Sequence, residues 1–136
     1  MPKIYVLDTS AVLILLDQRA GARRILQLLD VAAGSNTPLL ASVVHWGEVF
    51  YISWQRHGQQ SARDTLSDLS HLPIRVVPVD LPLAVKAGEF KTTHGIPYVD
   101  SMAASLAVLN DATLVTADHD FEKLGRHFPI LWLSRT

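Results

Sequence analysis

Cysteine is absent from all 136 residues. That absence removes disulfide staples, zinc–thiolate sites and cysteine nucleophiles together. An excess of one charge is also missing: 12 basic residues stand against 13 acidic ones, for a net charge of −1. No overall basic field announces a nucleic-acid binder, and none is required if a bound cation carries the positive charge at a site. The apolar run at residues 11–16 is far shorter than the roughly 20 residues a membrane-spanning helix needs. The N-terminus passes almost directly into a strand-like run, so no secretory leader is expected. No linker, repeat or low-complexity tract divides the chain. A cytoplasmic chain with no membrane association is the expectation.

What is present is a globular composition, 49% apolar and 18% charged. At this length one domain with one core, residues 1–136, is expected. Short apolar runs at residues 3–7, 39–41, 74–79, 113–116 and 130–133 read as strands. Between them lie helical patterns. Thr9 or Ser10 can cap a helix that runs through Asp17. A second helix covers 22–33, with Ile25, Leu26, Leu28 and Leu29 at helical spacing. Ser42 caps a long helix to about Arg56, and 60–69 forms a shorter one. Asp80 caps a helix with Pro82 in its first turn. Pro97 starts another, through Leu109, and Asp120 caps a short one at 121–124. Strands alternating with helices predict an α/β fold, a mainly parallel central sheet covered by helices on both faces. Such sheets bind ligands beyond the carboxyl ends of their strands, near a switch point in strand order.

Four acids occupy positions where acids are costly. Asp8 ends the run Ile4-Tyr5-Val6-Leu7 and Asp118 follows Leu114-Val115-Thr116-Ala117, so both fall just past strands. Glu48 shares a helix face with Val44, Tyr51 and Ile52. An unpaired carboxylate there would cost several kcal/mol or take up a proton. Asp100 lies about one turn into its helix, with Ala103, Ala104 and Ala107 on the same face. Each has a plain structural alternative: a cap for Asp8, an ion pair with Arg56 or Arg63 for Glu48, a favourable helix-dipole position for Asp100. Asp120 is most simply a cap, which leaves Asp118 in the loop. A shared divalent metal accounts for the four together.

As an ordered set, Val6-Leu7-Asp8-Thr9-Ser10, Ser42-Val43-Val44-His45-Trp46-Gly47-Glu48, Tyr98-Val99-Asp100-Ser101-Met102-Ala103-Ala104 and Leu114-Val115-Thr116-Ala117-Asp118-His119-Asp120-Phe121 resemble the PIN-domain nucleases, most closely the small VapC-like toxins. The match covers essentially the whole chain. It implies a PIN-like fold and an acidic metal site of Asp8, Glu48, Asp100 and Asp118. Asp120 would be an accessory acid, with Thr9 and Thr116 supporting. It further implies a Mg2+ (or Mn2+) dependent endoribonuclease hydrolysing RNA phosphodiester bonds, the toxin of a toxin–antitoxin pair. A cognate antitoxin protein and a second copy in a homodimer would be its partners. Family members often carry another acid near Asp17-Gln18-Arg19; here the chain turns basic, with Arg19, Arg23 and Arg24.

Those arginines, with Lys86, Lys91 and His94, are candidates for substrate phosphates, although each also reads as a solvated helix face. Asp8 and Asp118 are expected nearest the metal. Among the histidines, His119 stands between two acids and is the one to test as a general base. Trp46, Phe50, Tyr51 and Trp54 suggest a stacking platform, but their helical spacing favours a core or an interface. Two other classes compete. One is a non-catalytic PIN-fold RNA-binding or scaffold module, which should lack an acid of the set. The other is a receiver-type signalling domain, which should show paired acids at its first strand end, where Asp8 stands alone.

Overall fold

In the computed structural model, residues 2–133 are described. Met1 and residues 134–136 of the expected 1–136 domain lie outside them. The elements follow in the order β1 (Tyr5–Leu7), α1 (Thr9–Asp17), α2 (Ala22–Ser35), β2 (Leu39–Ser42), α3 (Val43–His57), α4 (Gln59–Leu69), β3 (Ile74–Val77), α5 (Leu81–His94), α6 (Tyr98–Leu109) and β4 (Thr113–Thr116). A short 3-10 helix, His119–Leu124, and β5 (Ile130–Trp132) complete the chain.

The five strands form one sheet in the order β3-β2-β1-β4-β5, and every adjacent pair is parallel. Neighbouring residues on a strand point to opposite faces, and the apolar strand residues divide accordingly. Leu7, Leu39 and Val115 join the core under α1, α2, α3 and α4. Val6, Leu40 and Leu114 join the core under α5 and α6. A strand buried on both faces must be apolar at successive positions, which is why these runs do not alternate. Parallel crossovers are right-handed. The chain first builds outward from β1 to β2 and β3, with helices on one face. It then returns to the far side of β1 through α5 and α6 on the other face. Strand order reverses between β1 and β4, and their carboxyl ends flank the switch point.

Several boundaries shift by one or two residues from the sequence expectation, and the end of β3 and two helix starts have clear causes or consequences. β3 stops at Val77 rather than 79, because Pro78 has no N–H to continue the ladder. The N-caps of α1 and of the short helix are Asp8 and Asp118, not Thr9, Ser10 or Asp120. α3 is also less enclosed than its composition suggests. It buries His45, Val49 and Ser53, whereas Trp46 and Phe50 are half-buried and Tyr51 and Trp54 exposed. No helix among the described residues is long and apolar enough to cross a membrane.

Candidate metal centre

The residue after β1 already has the extended backbone an N-cap needs, at φ −89° and ψ −179°, so α1 starts immediately after Asp8. The Ala11 N–H donates to Asp8 Oδ1 at 2.9 Å, and the Ser10 hydroxyl donates to the same oxygen at 2.7 Å. The Thr116 hydroxyl donates to Oδ2 at 2.6 Å. Asp8 is thus only 3% exposed, with both carboxylate oxygens engaged.

Asp118 repeats the arrangement at the end of β4. Its Oδ1 accepts the Asp120 N–H at 2.9 Å, capping the short helix. Asp120, relieved of that role, sits in the helix's first turn. One carboxylate oxygen from each of Asp100, Asp118 and Asp120 falls within 4.8 Å of the others, and all three residues are half-buried. Asp120 therefore stands beside Asp100 and Asp118 on equal terms, whereas Asp8 lies outside that closest group. Thr116 links the two strand ends: it accepts the Asp118 N–H at 2.9 Å while donating to Asp8. Its hydroxyl proton is thus committed to Asp8.

Glu48 arrives from α3, whose start is fixed by Ser42 accepting the Val44 N–H. Thr9 donates to Glu48 Oε1 at 2.6 Å and ties the first turn of α1 to α3. Neither suggested ion-pair partner is used for Glu48. Arg56 reaches Asp17 at 3.4 Å, and Arg63 lies over the Phe50 ring. Asp100 arrives from the first turn of α6. Among the described residues its carboxylate has no hydrogen-bond or ion-pair partner.

The electrostatics follow from these surroundings. Burial pushes the Asp8 carboxyl up from 3.8 to about 6, against the lowering by Thr116, the Ala11 N–H and Ser10; Asp118 adds repulsion. Burial also pushes Asp100 up, to about 7, and here every other contribution points the same way: Asp118, Asp8, Asp120 and Glu48 all repel its charge. Among the described residues no Lys or Arg pairs with any of these five acids. An oxygen-only donor set, half-buried and short of positive charge, suits a hard divalent cation such as magnesium.

The basic candidates do not join this group. Arg19 pairs with Asp17 at 3.7 Å, and Lys86 with Glu89 at 3.1 Å. Arg23, Arg24, Lys91 and His94 lie exposed on α2 and α5. His119 is engaged outside the five acids: its Nδ1 lies 2.6 Å from Glu122 Oε1, and its ring is tilted 31° to Trp132 at 6.3 Å. His45 is buried at 1% exposure, and neither ring nitrogen has a hydrogen-bond partner. Burial pushes its pKa down to about 4. The sequence reading did not anticipate this, and it gave Asp120 as a cap and accessory acid rather than a full member of the closest group. The spacing of Asp118 and Asp120 held the signal for the latter: a cap and a first-turn acid two residues apart open toward the same side.

The family profile of the PIN domain matches residues 5–127. Among curated protein sequences there is no match. Solved structures resemble the chain over nearly its full length. A toxin–antitoxin complex from Klebsiella pneumoniae aligns with a TM-score of 0.73 at 18% identity, covering 97% of this chain and 99% of that one. VapBC2 from Rickettsia felis, bound to a promoter DNA fragment, gives 0.75 at 19%, covering 96% and 99%. VapC20 from Mycobacterium tuberculosis, a toxin that cleaves the sarcin–ricin loop, gives 0.67 at 20%, covering 89% and 95%. At these identities the likeness establishes a shared fold.

Proposed function

Since the chain belongs to the PIN-domain family, we propose that it is a metal-dependent endoribonuclease, the toxin of a toxin–antitoxin pair, built as one domain over residues 1–136. The observation that carries this reading is the convergence of Asp100, Asp118 and Asp120 within 4.8 Å, with Asp100 pushed up to about 7 and, among the described residues, no basic side chain paired with the group. The non-catalytic alternative has no missing acid in its favour.

Asp100, Asp118 and Asp120 would hold magnesium or manganese, with Asp8 and Glu48 completing the acidic wall. When bound, such an ion activates water and stabilises a leaving oxygen at phosphorus. The chain's own residues do the positioning. Thr116 fixes Asp8 and the Asp118 backbone together. Thr9 holds Glu48 toward α1. Asp100, the acid with the most raised affinity for a proton, would release it as the ion binds. Of the basic residues expected to contact substrate, Arg23, Arg24 and Lys91 carry no ion pair, whereas Arg19 and Lys86 would first leave Asp17 and Glu89. RNA, a cognate antitoxin and a second copy of the chain are the partners we assign, in the cytoplasm. The antitoxin assignment is supported by the toxin–antitoxin complexes among the similar structures.

Incubating the purified chain with a panel of RNAs tests the activity. Cleavage should need magnesium or manganese and stop in EDTA; cutting that persists without metal would sink the mechanism. The toxin role is a separate question. Expression alone should arrest growth, and co-expression of the protein encoded beside it should relieve the arrest. Unimpeded growth would remove the toxin reading and leave the nuclease standing.

A further inference from the structure

A second feature lies beside the acids. Beyond Asp120 the short helix continues through Phe121 and Glu122, and the chain turns at Gly125 with φ 88° before returning along β5. Between helix and strand opens a cleft of about 400 Å³, lined among others by Phe121, Glu122, Arg126, Phe128 and Trp132. That volume falls within the roughly 300–1,000 Å³ typical of small-molecule sites. Two residues of 3-10 helix advance only about 4 Å, so the cleft begins close to the carboxylate group. The strand side is equally near: Trp132 pairs with Thr116, whose hydroxyl touches Asp8.

We propose that this cleft receives one unpaired base of the RNA held at the acidic cluster, with guanine preferred. The proposal rests on the nuclease reading for its substrate class. Trp132 is 43% exposed, large for a tryptophan that only fills a core. Trp132 lines the cleft and offers a face on which any base can stack, with the His119 ring tilted beside it at 6.3 Å. Glu122 selects among bases. It lines the cleft, and its Oε1 lies 2.6 Å from His119 Nδ1, which restrains the carboxylate. A carboxylate only accepts hydrogen bonds. Guanine offers it adjacent imino and amino donors on one edge, whereas adenine, cytosine and uracil each offer a single donor group there. Arg126 in the same wall can donate to a base carbonyl or a neighbouring phosphate. The ring placed by sequence between two acids thus serves substrate seating rather than proton transfer.

The test measures binding without cleavage. Single-stranded RNA hexamers with one central guanosine, adenosine, uridine or cytidine are titrated against the full chain in EDTA. The guanosine hexamer should bind tightest. Trp132→Ala should weaken all four by about 5- to 150-fold, and Trp132→Phe should restore most of that loss. Glu122→Gln should remove the guanosine preference, about tenfold, while leaving the other hexamers little changed. Trp132→Ala affinities equal to wild type overturn the proposal, including where that variant loses a protein partner instead. A guanosine preference that survives in Glu122→Gln overturns the guanine assignment. A hexamer carrying 6-thioguanosine gives a test free of substitution. Ultraviolet crosslinks should map within residues 121–132, and crosslinks confined to other segments overturn the proposal. A wild-type chain that binds as expected yet cuts no RNA with metal present separates failure of the nuclease reading from failure of the cleft.

Discussion

Asp8 and Asp100 face the same acidic group from opposite situations. Both are pushed above the ordinary carboxylate range by burial. Around Asp8 the fold has supplied the remedy: two hydroxyls and a backbone N–H donate to its oxygens. Around Asp100 no described residue donates, and four other carboxylates add to the repulsion. Asp8 is a finished piece of structure, whereas Asp100 is left to take up a proton or, under the proposed function, a cation. The difference separates a residue that holds the site in shape from one that would hold the ion.

The largest effect should come from Asp100→Asn. An ion that contributes several kcal/mol of transition-state stabilisation is worth about 1,000-fold or more in rate, so RNA cleavage should fall at least that far. In EDTA the same variant should melt higher than wild type, because it removes a charge that its surroundings oppose. A lower melting temperature would show that Asp100 is as well supported as Asp8. Next in size is the response to magnesium. At 100 times its dissociation constant an ion adds about 2.7 kcal/mol, a rise in melting temperature of roughly 10 °C for a chain this size. Calorimetry should show that rise in wild type and lose most of it in Asp118→Asn.

Thr116→Val attacks the other side of the comparison. It removes the hydroxyl that donates to Asp8 and accepts the Asp118 N–H. Chemical denaturation should register a loss of about 1–3 kcal/mol for the unsatisfied buried groups, with or without metal. A loss confined to the metal-loaded protein would assign Thr116 to the ion instead.

The smallest effect is the pH dependence in EDTA. Between the ordinary 3.8 and about 6 for Asp8, or about 7 for Asp100, the folded chain holds protons that the unfolded chain has released. Stability should therefore fall as pH rises through that window. His45 acts oppositely: pushed down from 6.5 to about 4, it leaves the extra proton on the unfolded chain and favours folding as pH rises. Two acids against one histidine leave a net decline to about pH 6, and Asp100 alone continues it to about pH 7. Melting curves of His45→Phe should show a steeper decline below about pH 6.5. Asp100→Asn should flatten the segment from about pH 6 to 7, and an unchanged slope there would remove Asp100 as its source.

The fold was legible because burial on both faces of a parallel sheet leaves continuous apolar runs, and because Pro, Gly and Asp mark the helix ends around them. The acids past β1 and β4 were legible as strand-end residues for the same reason. What sequence could not decide was which of several capping residues the backbone would use. In Asp8-Thr9-Ser10 and Asp118-His119-Asp120 that choice turned on where the extended backbone ended, a matter of one or two residues. The displacement is small in the chain and large in chemistry, since it moves Asp120 from cap to cluster. Glu48 was read as needing a partner; its short contact, from Thr9, comes from 39 residues away, beyond any local pattern, and only the longer one, from the Tyr51 hydroxyl at 3.5 Å, is local. His45, Trp132 and the cleft depend on tertiary packing and left no periodic trace.

The double capping has a further consequence, for which ion the site admits. Asp8 Oδ1 accepts two hydrogen bonds and Oδ2 one, so a single lone pair remains and Asp8 can contact an ion through one oxygen only. Asp118 Oδ1 is likewise occupied once by a backbone N–H. Calcium favours six to eight oxygens and often grips carboxylates through both; magnesium takes six, several of them water. A single-oxygen contact at Asp8, held by backbone geometry, would therefore favour the ion of lower coordination number. In a competition titration calcium should displace magnesium poorly, and equal displacement would mean that the caps open when an ion arrives.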